Sequence, residues 1–179
     1  MKTSDIEVLF PAEEIAGRNA ALAREIHDAG YVENVLVVAV LKGSFVFAAD
    51  LIRALHFAGI SPEVDFMSLS SYREGTTSSG VVTVIRDIET AVQGRNVLLV
   101  DDILESGRTL AYAKQTIAER GAARVGVAVL LDKPGKRVAP IEADFVGFVC
   151  PDKFVVGYGM DAGHAFRELP FIGYVREGD

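Results

Sequence analysis

Residues 97–109, VLLVDDILESGRT, constrain this chain more than any other stretch. Val97, Leu98, Leu99 and Val100 form a branched apolar run with no polar alternation, which suits a strand buried on both faces, as in a parallel sheet. Asp101 and Asp102 follow at the carboxyl end of that strand, where open α/β sheets form their ligand crevices. Ser106-Gly107-Arg108-Thr109 then opens a helical pattern, and backbone N–H groups at such a turn cradle phosphate. Two adjacent acids after a buried strand are costly unless solvated, hydrogen-bonded or paired with a cation. Carboxylates beside a phosphate cradle suggest a phosphorylated sugar held by its hydroxyls, with a metal. The bland alternative is a solvated approach to an ordinary helix.

The flanking pattern is that of an α/β domain with a mainly parallel sheet. Residues 11–30 predict an amphipathic helix with Ile15, Leu22 and Ile26 on one face, Glu13 and Glu14 at its positive end and Gly30 beyond its stop. Residues 35–41, VLVVAVL, predict a central strand; Lys42-Gly43-Ser44 turns into a helix over 45–57. Residues 64–69 and 81–85 predict strands joined by SSYREGTTSSG, a polar loop too long for a plain hairpin. That loop is either a lid or an irregular excursion. After Thr109 a helix places Leu110, Ala113 and Ile117 inward and stops at Gly121. Strands follow at 125–131, 145–149 and 154–156. Gly157, Gly159 and Gly163 are spaced GxGxxxG, which does not fit a dinucleotide fingerprint.

With 179 residues, half of them hydrophobic, the chain is read as one domain over 1–179: a core over about 35–145, and a small hood from about 1–30 and 146–179. The net charge of −7 disfavours non-specific nucleic-acid binding and attraction to anionic membranes. An acidic chain that binds a polyanion needs a local cluster of donors or divalent cations. Cys150 is the single cysteine, so no intrachain disulfide forms and a buried thiol is expected. No apolar run reaches membrane-spanning length, and a cytoplasmic protein without a membrane partner is expected. His27, His56 and His164 are scattered and no HExxH occurs, so zinc is set aside. There is no GxSxG elbow and no GxxxxGK[ST] frame.

VLLVDDILESGRT resembles the phosphoribosyl-pyrophosphate signature of the type I phosphoribosyltransferases. LKGS at 41–44 resembles the pyrophosphate loop of one branch, the hypoxanthine-guanine enzymes, and SSY at 70–72 the start of their lid. LLDKP at 130–134 and PDKFVVGYGMD at 151–161, with Arg167 beyond, resemble their purine pocket and second metal site. The resemblance implies the type I fold and transfer of ribose 5-phosphate to N9 of a 6-oxopurine, hypoxanthine and also guanine, in purine salvage with Mg²⁺.

It also implies site roles. Asp101, Asp102, Ile103, Leu104, Glu105, Ser106, Gly107, Arg108 and Thr109 would line the donor, with both aspartates toward Mg²⁺ and the ribose. Lys42, Gly43 and Arg167 would contact pyrophosphate, and Asp161 a second Mg²⁺ through water. Ser71 and Tyr72 would belong to the lid. Phe154 would stack on the base, Lys133 would donate to O6, and Val155 and Asp161 would flank its other edge. The position that usually carries an aspartate general base facing N7 is Glu105 here; either it reaches N7 after a small shift or the proton moves elsewhere. Ala162 stands where an aromatic is frequent, leaving the ranking of bases open. A non-proline cis peptide is expected between Leu41 and Lys42. A homodimer or homotetramer is the assembly implied. The alternatives are a xanthine- or guanine-preferring transferase, a nonenzymatic nucleotide-binding module, and a regulator that senses phosphoribosyl pyrophosphate and binds nucleic acid.

Overall fold

A computed structural model describes residues 5–71 and 82–175 of the chain. Its centre is a six-stranded sheet. The strands are β2 (Val35–Leu41), β3 (Glu63–Ser71), β4 (Val82–Arg86), β5 (Asn96–Leu104), β6 (Arg124–Asp132) and β7 (Phe145–Val149). They lie in the order β4-β3-β2-β5-β6-β7. All pairs are parallel except β3 with β4, which is antiparallel at one edge. This is the mainly parallel α/β sheet expected, with β5 and its acidic end in the middle.

Period-two alternation inside apolar strands builds a core on each face. Val37, Ala39, Leu98, Val100, Ala128 and Leu130 pack against α1 (Ala12–Asp28) and α2 (Phe45–Phe57). Leu36, Val38, Leu99, Val127 and Val129 point the other way, toward α3 (Arg108–Glu119) with its Leu110, Ala113 and Ile117. Truncating a side chain as fully buried as Leu98 or Leu99 costs about 2–5 kcal/mol. Asp65 is the exception on β3. It is buried, and its carboxylate accepts the amides of Phe66, Glu89 and Thr90 at 2.7–2.9 Å, tying down the turn after β4.

A second, three-stranded antiparallel sheet comprises β1 (Ile6–Phe10), β9 (Ile172–Val175) and β8 (Val155–Val156), in the order β1-β9-β8. Neither β1 nor β9 is legible in the sequence, because each is short and half-exposed and takes its partner from the opposite end of the chain. The hood assignment also needs correction. Helix α1 lies on the large sheet, its Ile15, Leu22 and Ile26 within the main core. Its Arg18 donates to the Gly147 and Val146 carbonyls at 2.9 and 2.7 Å, so it covers the β7 edge. Strand β7 itself belongs to the large sheet, so the small layer is made by the terminal strands and the loops between β8 and β9. Among the described residues no helix is long and apolar enough to cross a membrane.

Candidate active site

The parallel register between β5 and β6 pairs Leu104 with Asp132. The next residue on each strand, Glu105 and Lys133, therefore leaves the sheet at the same level. The Lys133 amide donates to the Leu104 carbonyl at 2.9 Å, which locks that register. Glu105 Oε1 lies 3.0 Å from Lys133 Nζ, and the same ammonium donates to the Lys153 carbonyl at 3.0 Å. Lys133 is buried, so its charge requires these partners. Lys136 and Asp152, 2.8 Å apart, close a ring of alternating charges, with Lys136 also 3.9 Å from Glu105.

These groups border a cavity of about 450 Å³. Phe154, 63 % exposed, presents a free ring to it, and Ile103 and Val155 supply further apolar surface. Asp102 and Asp161 reach the same cavity. The larger void of about 670 Å³ against Phe45 and Tyr158 does not contain this chemistry.

Asp101 and Asp102 stand side by side at the end of β5. Each turns an oxygen back on the backbone: Asp101 accepts the Asp102 amide and Asp102 accepts the Ile103 amide, both at 2.9 Å. Burial, then the neighbouring Asp102 charge, pushes Asp101 well above the usual carboxylate range; burial also raises Asp102, with Arg167 acting in the opposite direction. The pair is therefore short of positive charge.

The turn after β2 comes close to it. The Leu41–Lys42 peptide is cis, as expected. Gly43 sits so near Asp102 that a Cβ there would run into the carboxylate, and a Cβ on Gly159 would run into the Gly43 carbonyl. Arg167 joins this corner by donating to the Gly159 carbonyl at 2.6 Å and pairing with Asp161 at 2.7 Å. Tyr158 anchors the same loop, with its hydroxyl donating to Asp50 of α2 and accepting from Asn19 of α1 at 2.9 Å. Burial and the Asp50 charge push that phenol far above its ordinary value.

A glycine turn precedes α3. Gly107 takes φ +80°, and a Cβ there would meet Ile141 at 2.6 Å. Helix α3 begins at Arg108, whose amide faces Ser106 Oγ at 3.5 Å, and its first helical bond runs from the Ala111 amide to the Gly107 carbonyl at 2.9 Å. Lys42 is exposed on the loop beside Gly43 and does not border the cavity beside Glu105 and Lys133. Among the described residues no three acidic, histidine or cysteine side chains form a group that could hold a metal ion; Asp161 is engaged by Arg167 and by the His164 amide. Ser71 ends β3, while its side chain and all of Tyr72 lie outside the described residues. Four contributors escaped sequence reasoning: Lys136, Asp152, Tyr158 and Gly159. The first two are ordinary surface charges until the fold closes the ring.

Residues 6–162 match the family model for a phosphoribosyl transferase domain. The chain belongs to the phosphoribosyltransferase family. Within it, the chain is 44 % identical over 177 residues to the hypoxanthine-guanine phosphoribosyltransferase of Bacillus subtilis (strain 168), covering 98 % of this chain and 97 % of that one. It is 40 % identical over 174 residues to the hypoxanthine phosphoribosyltransferase of Escherichia coli (strain K12), covering 95 % of each. A bifunctional TilS/HprT protein of Listeria innocua is 45 % identical over 174 residues, 97 % of this chain; this chain spans only 26 % of that relative's length. The crystal structure of a Staphylococcus aureus hypoxanthine phosphoribosyltransferase superposes with a TM-score of 0.90 at 38 % identity, over 97 % of this chain and 93 % of that one.

Proposed function

We propose that this phosphoribosyltransferase moves the 5-phosphoribosyl group of phosphoribosyl pyrophosphate to N9 of hypoxanthine, and of guanine, in purine salvage. The observation that carries the reading is the cavity bordered together by Asp102, Glu105, Lys133, Phe154 and Asp161, which matches a purine at one end and a charged sugar at the other.

The base stacks on the Phe154 ring, whose apolar face accepts any purine. Lys133 has only donors, so it bonds O6 and leaves the 6-amino group of adenine without an acceptor. The Val155 backbone and Asp161 flank the opposite edge. As N9 attacks C1′, the bond from C1′ to the pyrophosphate oxygen breaks and the proton at N7 passes to Glu105. The ion pair with Lys133 holds the Glu105 carboxylate beside O6, the neighbour of N7. That pairing supports the reading in which Glu105, despite its extra methylene, reaches N7. Ser106, Gly107, Arg108 and Thr109 receive the 5′-phosphate at the start of α3, where the helix dipole also favours an anion. Gly43, Lys42 and Arg167 meet the pyrophosphate, and Ser71 and Tyr72 belong to the lid that excludes water.

Asp101 and Asp102 fit a magnesium ion, since they are adjacent buried carboxyls at the end of β5 and such hard cations take oxygen ligands. Asp161, already engaged by Arg167 and the His164 amide, would meet a second ion only through water. Ions held by these residues would supply the positive charge that makes pyrophosphate a better leaving group.

Action in the cytoplasm as a homodimer or homotetramer belongs to the same reading. The assembly, not the location, draws support from the exposed Phe57 and Val64, which border one surface cavity. Sedimentation at micromolar concentration checks the assembly. The deciding experiment for the activity measures pyrophosphate release with hypoxanthine, guanine, xanthine, adenine and uracil, with and without Mg²⁺. Turnover with the 6-oxopurines and none with adenine is expected. No turnover with any base, despite tight donor binding, would replace the enzyme by a sensor of phosphoribosyl pyrophosphate.

A further inference from the structure

We propose that Arg137 is the positioning residue of the donor half of the site, fixing the backbone that carries Glu105 and the phosphate turn. This rests on the phosphoribosyl-transfer reading above. Arg137 follows the short 3-10 turn Pro134–Lys136 and does not border the cavity. Its guanidinium, on a side chain only 18 % exposed, nevertheless makes four bonds. Nε donates to the Glu105 carbonyl at 3.0 Å and Nη2 to the Leu104 carbonyl at 3.3 Å; Nη1 donates to the Ile141 carbonyl at 2.7 Å, and Nη2 also pairs with the Asp132 carboxylate.

The two donor-loop carbonyls belong to the peptide planes on either side of Glu105. One rigid fork therefore restrains both backbone dihedrals of that residue, and with them the direction of its side chain. Asp132, at the end of β6, holds the fork in the plane from which it reaches both. The chain beyond Arg137 extends the restraint by one residue, since the Val138 and Ala139 amides both donate to the Ser106 carbonyl at 3.0 Å. Gly107 packs so closely here that a Cβ would lie 3.0 Å from Arg137 Cδ. Segment 137–141 is thus a brace behind residues 104–107. Lysine cannot reproduce it, because an ammonium is a point charge without the planar spacing that spans two carbonyls.

The test compares wild type, R137K and R137M by steady-state kinetics with Mg²⁺, varying donor and hypoxanthine separately, alongside thermal melting. Displacement of a reacting group by about 1 Å costs on the order of 100-fold. R137M is therefore expected to raise the KM for phosphoribosyl pyrophosphate at least ~10-fold and lower kcat/KM for it by about 100-fold. The KM for hypoxanthine stays within about 3-fold, because the Phe154 ring reaches the base from the loop before β8 and the Lys133 ammonium keeps the Lys153 carbonyl as a partner outside the brace. R137K recovers part of the loss. A residue that served only the fold would lower the melting temperature and leave both KM values of the folded protein unchanged. R137K with the wild-type KM for the donor overturns the proposal whether or not R137M folds, and so do equal rises in both KM values. If wild type releases no pyrophosphate from any base, it is the activity reading that fails. Calorimetric titration of wild type and R137K with phosphoribosyl pyrophosphate then still decides, since equal affinities would overturn the brace.

Discussion

The Glu105 carboxylate and the Lys133 ammonium, carried just past the ends of neighbouring parallel strands, lie 3.0 Å apart at the edge of one cavity. On the proposed reading the pair meets N7 and O6, two polar atoms on the same edge of a 6-oxopurine, so each should leave its own kinetic mark.

Glu105→Gln keeps the shape and one acceptor but cannot take a proton. General-base loss of this kind costs about 10²–10⁴-fold, so kcat should fall at least ~100-fold in the pyrophosphate-release assay, with Glu105→Asp retaining far more. A Glu105→Gln enzyme within a few-fold of wild type would assign the N7 proton to another group.

Lys133→Gln removes the charge and offers an amide that both donates and accepts. Discrimination by a buried hydrogen bond reaches about 10⁴–10⁵. The ratio of kcat/KM for hypoxanthine over adenine should therefore fall by at least ~100-fold, mostly through loss of hypoxanthine turnover. An unchanged ratio would move base selection to the Val155 edge.

Gly43→Ala introduces a Cβ where the Asp102 carboxylate now stands. Asp102 must swing aside or the loop must move, and either displaces groups assigned to the donor. Binding of phosphoribosyl pyrophosphate, read by calorimetry, should weaken by at least ~10-fold, on the scale of an ångström-level displacement. Melting should change less, since the loop is at the surface.

Asp101→Asn removes one of two buried like charges. The ligand-free protein should melt a few degrees higher, while magnesium-dependent donor binding is lost, the usual opposition of stability and function. The sign follows from the raised pKa of Asp101: in wild type the penalty stands in full above the folded value and fades as the pH falls from there to the unfolded value of about 3.9. The advantage of Asp101→Asn therefore shrinks in acid. Chelation of divalent cations should abolish wild-type turnover, and added Mg²⁺ should restore it.

Asp65 has the opposite sign. Burial alone would raise it, yet the Phe66, Glu89 and Thr90 amides and the Thr90 hydroxyl hold it below the usual carboxylate range. Its ionised form thus stabilises the fold above the unfolded value of about 3.9, and that contribution disappears as pH falls through the lower folded value. Asp65→Ala should cost about 2–3 kcal/mol at pH 7 by denaturant unfolding, and the difference should shrink toward pH 3. A constant difference across that range would show that packing, not charge, is what Asp65 provides.

Much of this fold is legible in the sequence. The strand over Val35–Leu41, the helix over Phe45–Phe57, the strand over Phe145–Val149 and the inward face of α3 follow from local periodicity, because a buried face needs apolar side chains at the spacing of its own element. The acidic pair and the glycine turn after β5 are legible for the same reason: a short loop carries its chemistry in consecutive residues. Tertiary structure decided what depends on distant partners. β1 and β9 exist only because the chain ends meet, and α1 belongs to the core because the open β7 edge accepts its Arg18. Arg137 could not be distinguished from a surface cation until folding brought the Leu104 and Glu105 carbonyls within its reach. Residues 97–109 thus show a buried strand, an acidic pair and a glycine turn by themselves, while the groups that face them across the cavity come from β6 and from the loop before β8. The physical reason is range: hydrophobic periodicity is written along the chain, whereas a hydrogen bond's partner is chosen only by the fold.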